Sequence, residues 1–264
     1  MIENKKEFKL ISKKNPKSLL PNALTIFGVC LGLSSIKFAL DANYTMSIIT
    51  IGFAAILDTL DGRVARLIKG TSKVGKELDS LTDVISFGVA PGFIIYFWAL
   101  NEIGKFGWML VLVYVVCCAL RLARFNLLIV EENESWKINF FEGVPSPAAA
   151  GLVLLPLILS LSNLIQFENK TVLCSATMLI TSFLMVSKIP TYSLKRILIP
   201  RHLTIFLLLG IGIYVSLLIF YTFETLFITG VIYIILIPLS YFNYKYKNKK
   251  LSVITNNDED EDVL

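Results

Sequence analysis

Four aspartates, Asp58, Asp61, Asp79 and Asp83, stand at the facing edges of two hydrophobic segments, in the stretch LDTLDGRVARLIKGTSKVGKELDSLTDV at residues 57–84. A carboxylate withdrawn from water is costly, so these four must cap helices at a wet boundary, pair with Arg63 and Arg66, or converge on a cation. On a helix Asp58 and Asp61 share a face, three residues apart, and Gly62 and Ala65 continue it. Asp79 and Asp83 share a second face, four apart, with Ser86 and Ala90 in their rows. The two faces are joined by a short connection and can meet at one depth, where four carboxylates repel one another unless a cation lies among them. Oxygen-only ligands suit a hard divalent ion, Mg²⁺ or Mn²⁺. Such an ion in a cleft of small residues suits a phosphate ester. Arg63, Arg66, Lys69, Lys73 and Lys76 on the rim would draw an anionic headgroup inward.

The elements that carry these residues are membrane helices. The 264 residues are 55% hydrophobic and 17% charged, with a mean hydropathy of +0.69; a soluble domain would carry about 25% charged residues. Apolar runs of roughly the 17 to 25 residues that a bilayer requires lie near 19–40, 44–68, 79–100, 106–128, 146–165, 171–188, 203–221 and 225–243. The expected fold is therefore an all-α polytopic membrane bundle of about eight transmembrane helices. The run at 171–188 is short and carries several hydroxyls. With the N-terminus inside, every Lys and Arg except Lys37, Lys105 and Lys170 falls on the cytoplasmic side. The aspartates then open toward the cytoplasm from the cell (inner) membrane. The net charge of +5 reflects topology and contact with anionic membrane lipids, not nucleic-acid binding. The lysine-rich start leads into a full-length span with no small-residue cleavage pattern, so no secretory signal is expected.

Residues 1–18 form a basic lead-in suited to the anionic inner leaflet. Residues 19–244 form the transmembrane domain, and residues 245–264, ending TNNDEDEDVL, form a cytoplasmic tail expected to be disordered. Cys30, Cys117, Cys118 and Cys174 sit inside spans without metal-ligand spacing, and read as free core thiols. GTSKVGKE, residues 70–77, begins like a phosphate-binding loop, but Glu77 stands where Ser or Thr must hold Mg²⁺ and no strand precedes it, which excludes a nucleotide triphosphatase. GVCLG, residues 28–32, allows close helix packing, within the chain or between chains. His202 reads as a headgroup-level surface residue. Arg121 and Arg124, three apart near the cytoplasmic end of the fourth span, could pair with a carboxylate or phosphate in the cleft or snorkel to lipid phosphates.

Written out, residues 58–83 read D-x2-D-G-x2-A-R-x8-G-x3-D-x3-D, through Asp58, Asp61, Gly62, Ala65, Arg66, Gly75, Asp79 and Asp83. This resembles the signature of the CDP-alcohol phosphatidyltransferase family at every position. PNALT at 21–25, SFGVAPG at 86–92, LRLARFN at 120–126 and PSPAAAG at 145–151 resemble its phosphatidylserine synthase branch. The resemblance covers roughly the first 150 residues. It implies a six-helix core, here extended to eight, and often a homodimer. It implies Asp58, Asp61 and Asp79 as metal ligands, with Asp83 as the general base that also touches a metal. It further implies room for the CDP moiety at Gly62, Ala65 and Gly75, Arg66 near its phosphates, and Asn22 and Thr25 lining the same pocket.

The expected reaction has the hydroxyl of L-serine attacking, roughly in line, the phosphorus of CDP-diacylglycerol that bears the lipid; CMP leaves and Asp83 takes the hydroxyl proton. Arg121 or Arg124 would hold the serine carboxylate. The same signature serves enzymes that use choline, inositol or glycerol 3-phosphate. A divalent-cation transporter would also hold acidic residues in its spans, but its site would lie near the bilayer midplane instead of around one cytoplasmic connection.

Overall fold

The computed structural model describes residues 19–68, 73–128, 140–162, 168–192 and 203–261. The basic lead-in at 1–18, Lys69, Gly70 and His202 lie outside them. The chain is an all-α membrane bundle whose helices follow the apolar runs closely: α1 (Leu19–Leu40), α2 (Tyr44–Leu67), α3 (Lys73–Asp83), α4 (Ala90–Trp98), α5 (Lys105–Leu128), α6 (Ser146–Leu161), α7 (Lys170–Val186), α8 (Thr204–Phe220) and α9 (Thr222–Glu261). By length and composition, four stretches among the described residues suit a membrane crossing: Leu19–Leu40, Val74–Trp98, Lys105–Asn126 and Thr222–Lys245. The apolar helices α6, α7 and α8 are shorter.

Helix α6 is the axis. Eleven of its residues are buried, from Ser146 to Leu159, and they pack with Ile94, Ile95, Tyr114, Met178 and Met185 of the surrounding helices. Helix α8, by contrast, has no buried residue and turns Ile205, Phe206, Leu208 and Leu209 outward. An apolar surface of that kind is what lipid requires.

Between α3 and α4 the third span widens into a π-helical turn, Val84–Val89, in which the amide of Ala90 reaches back to the carbonyl of Ile85. Pro91 has no N–H to give the Phe87 carbonyl that an α-helix would pair with it. The hydroxyl of Tyr114 on α5 donates to that oxygen instead, at 2.7 Å. The turn also brings α1 close. Ser86 donates its hydroxyl to the Gly28 carbonyl at 3.3 Å, and a Cβ on Gly32 would fall 2.6 Å from Ser86 Oγ and 3.0 Å from Ser86 Cα. The GVCLG pair therefore serves packing within the chain.

Two three-residue strands, β1 (Phe140–Glu142) and β2 (Pro190–Tyr192), pair antiparallel with Phe141 opposite Thr191. Gly143 follows β1 with φ +74°, and a Cβ there would meet the Met185 carbonyl oxygen at 2.7 Å, so only glycine closes this clasp. At the opposite end of the bundle, Lys170 pairs with Glu102 at 2.9 Å and Thr171 donates to Glu102 at 2.8 Å. These hydrogen bonds, that of Lys170 first, hold the Glu102 carboxyl below the usual range. The contact therefore contributes above the ordinary glutamate pKa and is lost as pH falls through the lowered value.

Two expectations are corrected. The third span starts at Lys73, not at residue 79, because the polar first turns of α3 are helical as well. Helix α9 runs on to Glu261, with no Gly or Pro after Pro238 to interrupt it. Of the four free thiols, Cys118 and Cys174 are buried, but Cys30 is exposed on the outer face of α1.

Gly32→Ala is expected to force α1 away from the π turn, lowering stability by about 1–3 kcal/mol as overpacking does. Gly52→Ala, where nothing lies within 4 Å of the added carbon, should leave the melting temperature of the detergent-solubilised protein unchanged; equal melting of the two variants would refute the packing argument.

Candidate active site

The site is built where the last turns of α2 meet the first turns of α3. Asp58 and Asp61 lie on α2 and Asp79 on α3, and one carboxylate oxygen from each lies within 4.8 Å of the other two. Asp61 is nearly buried and accepts a 2.7 Å hydrogen bond from the Thr25 hydroxyl of α1. The same hydroxyl lies 3.0 Å from the Pro21 carbonyl. Thr25 therefore fixes one ligand candidate against the neighbouring helix, while α1 itself is held by the Gly28–Ser86 contact.

Asp83 sits one turn beyond Asp79, at the entrance to the π turn. Its carboxyl is within hydrogen-bond reach of Asp58, and its Oδ1 is buried without a partner. The group of three within mutual reach is Asp58, Asp61 and Asp79; Asp83 backs it from the deeper side. Behind Asp83 stands Arg121, 7% exposed, which donates from Nη1 to Ser146 Oγ at 2.7 Å. Its Nε is buried and unpaired. Asp83 and Arg121 lie close enough to interact electrostatically.

Arg124, on the same face of α5, is engaged elsewhere. Its guanidinium donates to the carbonyls of Val186 at 2.9 Å, Ser187 at 3.2 Å and Glu142 at 3.5 Å. It ties α5 to the end of α7 and to the clasp. Asn126 donates to Ser80 at 2.9 Å, which fastens α5 to α3 beside the aspartates.

The remaining residues surround the mouth. Gly62 is exposed, with open space where a side chain would begin. Ala65 and Gly75 are half-buried, as is Asn22, which precedes Thr25 by three residues on α1. Arg66 is exposed and its Nε–H donates to the Gly62 carbonyl at 3.0 Å. Three converging carboxylates with no nitrogen or sulfur donor fit a hard divalent cation. The Arg121–Ser146 bond and the π turn join segments distant in the chain, and the only local signals beside them are Pro145 and Pro91.

The profile of the CDP-alcohol phosphatidyltransferase family matches residues 18–189 of this chain. The chain belongs to that family. A CDP-alcohol phosphatidyltransferase of this length has curated relatives, among them the CDP-diacylglycerol–serine O-phosphatidyltransferase of Mycobacterium leprae, 34% identical over 86% of this chain and 76% of that enzyme. The enzyme of the same name from Mycobacterium bovis is 38% identical over 70% of this chain and 64% of its own length. That from Bacillus subtilis is 34% identical over 67% of this chain and 92% of its own length. In this CDP-alcohol phosphatidyltransferase, the matched residues hold the aspartates, Thr25, Arg121 and Ser146; α8 and α9 lie beyond the match.

Thr25→Val keeps the volume and removes the hydroxyl that holds Asp61. Loss of such a supporting bond is expected to weaken Mn²⁺ binding by about 10- to 100-fold, read by electron paramagnetic resonance titration of the purified protein; unchanged affinity would show that Thr25 does not position a ligand.

Proposed function

We propose that this protein transfers the phosphatidyl group of CDP-diacylglycerol to the hydroxyl of L-serine, giving phosphatidylserine and CMP. The observation that carries this reading is one cluster of groups: three converging carboxylates, Asp83 within reach of Asp58, and the buried Arg121, whose Nε has no partner and whose charge Asp83 feels. The names of the relatives, CDP-diacylglycerol–serine O-phosphatidyltransferases, support the same acceptor.

Asp58, Asp61 and Asp79 would hold Mg²⁺ or Mn²⁺. When bound, such an ion supplies charge neutralisation on the pyrophosphate as CMP departs. Gly62, Ala65 and Gly75 leave room for the CDP moiety, and Asn22 and Thr25 flank it from α1. Arg66 would release its own-helix carbonyl to meet a phosphate at the rim. Asp83 accepts the proton of the serine hydroxyl as that oxygen bonds to the phosphorus bearing diacylglycerol. Its burial next to Arg121 supports a role toward the acceptor.

Arg121 is the cation for the serine carboxylate. Arg124 is assigned to the clasp, because its guanidinium already donates to three carbonyls there. A single arginine with an unpaired Nε–H suits one carboxylate, whereas a phosphorylated acceptor calls for a larger basic cluster. The reading also includes an active site on the cytoplasmic face of the cell (inner) membrane, where serine and CMP exchange with water while the lipid tails stay in the bilayer. The domain limits 19–244 go with it. So does the homodimer that the family resemblance implies, which a single chain does not support by itself and the mass of the solubilised particle tests.

The first assay is CMP release by the purified protein with CDP-diacylglycerol, Mn²⁺ or Mg²⁺, and serine, glycerol 3-phosphate, inositol or choline in turn. Metal-dependent release with serine is expected, and release with another alcohol alone would overturn the acceptor. Asp83→Asn is expected to keep metal and CDP-diacylglycerol binding but to lower turnover by about 100-fold or more, as loss of a general base does; a parallel loss of metal binding would make Asp83 a ligand instead.

A further inference from the structure

Among the described residues, four buried side-chain atoms that can hydrogen-bond lack a partner: Asp83 Oδ1, Arg121 Nε, Tyr233 Oη and Ser240 Oγ. An unpaired buried polar atom costs about 1–3 kcal/mol, so native proteins keep few of them without a reason. Three of the four belong together. Arg121 interacts electrostatically with both Asp83 and Tyr233, although these three residues come from α3, α5 and α9.

Tyr233 reaches this place because α9 packs on the central helix with a narrow stripe. Gly230 lies so close to α6 that a Cβ would fall 2.6 Å from Leu155 Cδ1. Ile237 and Ser240 are buried on the same face, at helical spacing from Gly230 and Tyr233. The Tyr233 ring is therefore turned into the bundle. Its hydroxyl lies beside that of Thr191, but Thr191 already donates its proton to the Gly143 carbonyl at 2.8 Å. The proton of Tyr233 is left for something else.

The chemistry of the three orphaned atoms is complementary to one kind of molecule. Arg121 Nε–H and Tyr233 O–H are donors, and Asp83 Oδ1 is an acceptor. A carboxylate satisfies the two donors, and a hydroxyl or ammonium satisfies the acceptor. A small hydroxy amino acid presents both ends. Inositol and choline lack the carboxylate, and a phosphate calls for a larger basic cluster than Arg121 offers, since the neighbouring Arg124 is engaged with carbonyls.

We propose that Tyr233 is a specificity-determining residue that, with Arg121, receives the carboxylate of the amino-acid acceptor while Asp83 receives its hydroxyl. This rests on the acceptor reading given above, and it extends the site to a helix outside the matched residues 18–189. The last helix is thus part of the acceptor pocket and more than a membrane anchor. Ser240, two turns further along α9, takes no part.

Tyr233→Phe in the full chain removes the hydroxyl and keeps the ring, so the packing on α6 is preserved. Steady-state CMP release is measured with serine varied at saturating CDP-diacylglycerol, then with the lipid varied at saturating serine. The serine KM is expected to rise about tenfold or more, the size of a lost hydrogen bond to a charged group, with the lipid KM unchanged. Ser240→Ala should leave both unchanged. An unaltered serine KM in Tyr233→Phe, in a protein whose wild type uses serine, would overturn the assignment of Tyr233 and leave the acceptor reading intact. A lowered melting temperature with both KM values raised together would mark a packing role and overturn it too. A wild type that releases CMP with another alcohol and not with serine would overturn both readings.

Discussion

A carboxylate in a low-dielectric medium must be given either water, a hydrogen bond or a cation, and this requirement organises one whole end of the bundle. Asp61 is nearly buried and takes its hydrogen bond from Thr25 on α1. Gly32 lets α1 lie against the π turn, where Ser86 donates to the Gly28 carbonyl, and this holds Thr25 beside Asp61. That turn persists because Pro91 withholds a donor from Phe87 and Tyr114 supplies another. One chain of small residues and replaced hydrogen bonds thus runs from the core of the bundle to the aspartate cluster.

The same requirement explains the division of labour on α5. Arg121 and Arg124 share a face, and nothing in their spacing separates a ligand-binding arginine from a structural one. The difference comes from what lies opposite. Arg124 faces carbonyls that the end of α7 and the clasp leave unpaired, and neutralises them in threes. Arg121 faces one serine hydroxyl at the start of α6 and keeps a donor in reserve. Those partners lie 18 to 63 residues away in the chain, beyond any local pattern.

The sequence was most informative where one periodicity acts alone. Asp58 and Asp61 on one stripe, Asp79 and Asp83 on another, and apolar runs of bilayer length follow directly from 3.6 residues per turn and from hydropathy. It was least informative where two distant segments decide together. The π turn needs both Pro91 and Tyr114, and the clasp needs Gly143 beside the end of α7. The inward side of α9 carries no local signal, because apolar residues fall on every side of its membrane-crossing part and only its packing on α6 distinguishes Gly230 and Tyr233 from their neighbours.

The π turn also has a geometric meaning for the third span as a whole. Each residue of an α-helix advances the side-chain direction by about 100°, so one extra residue in a single wide turn resets the phase of everything after it. The half that carries Asp79 and Asp83 and the half that carries Ile94 and Ile95 are therefore two independently clocked screws on one axis. The lower one points carboxylates at α2, and the upper one points branched aliphatics at the buried core. A continuous α-helix has a single clock, and could not aim both sets with the same sequence.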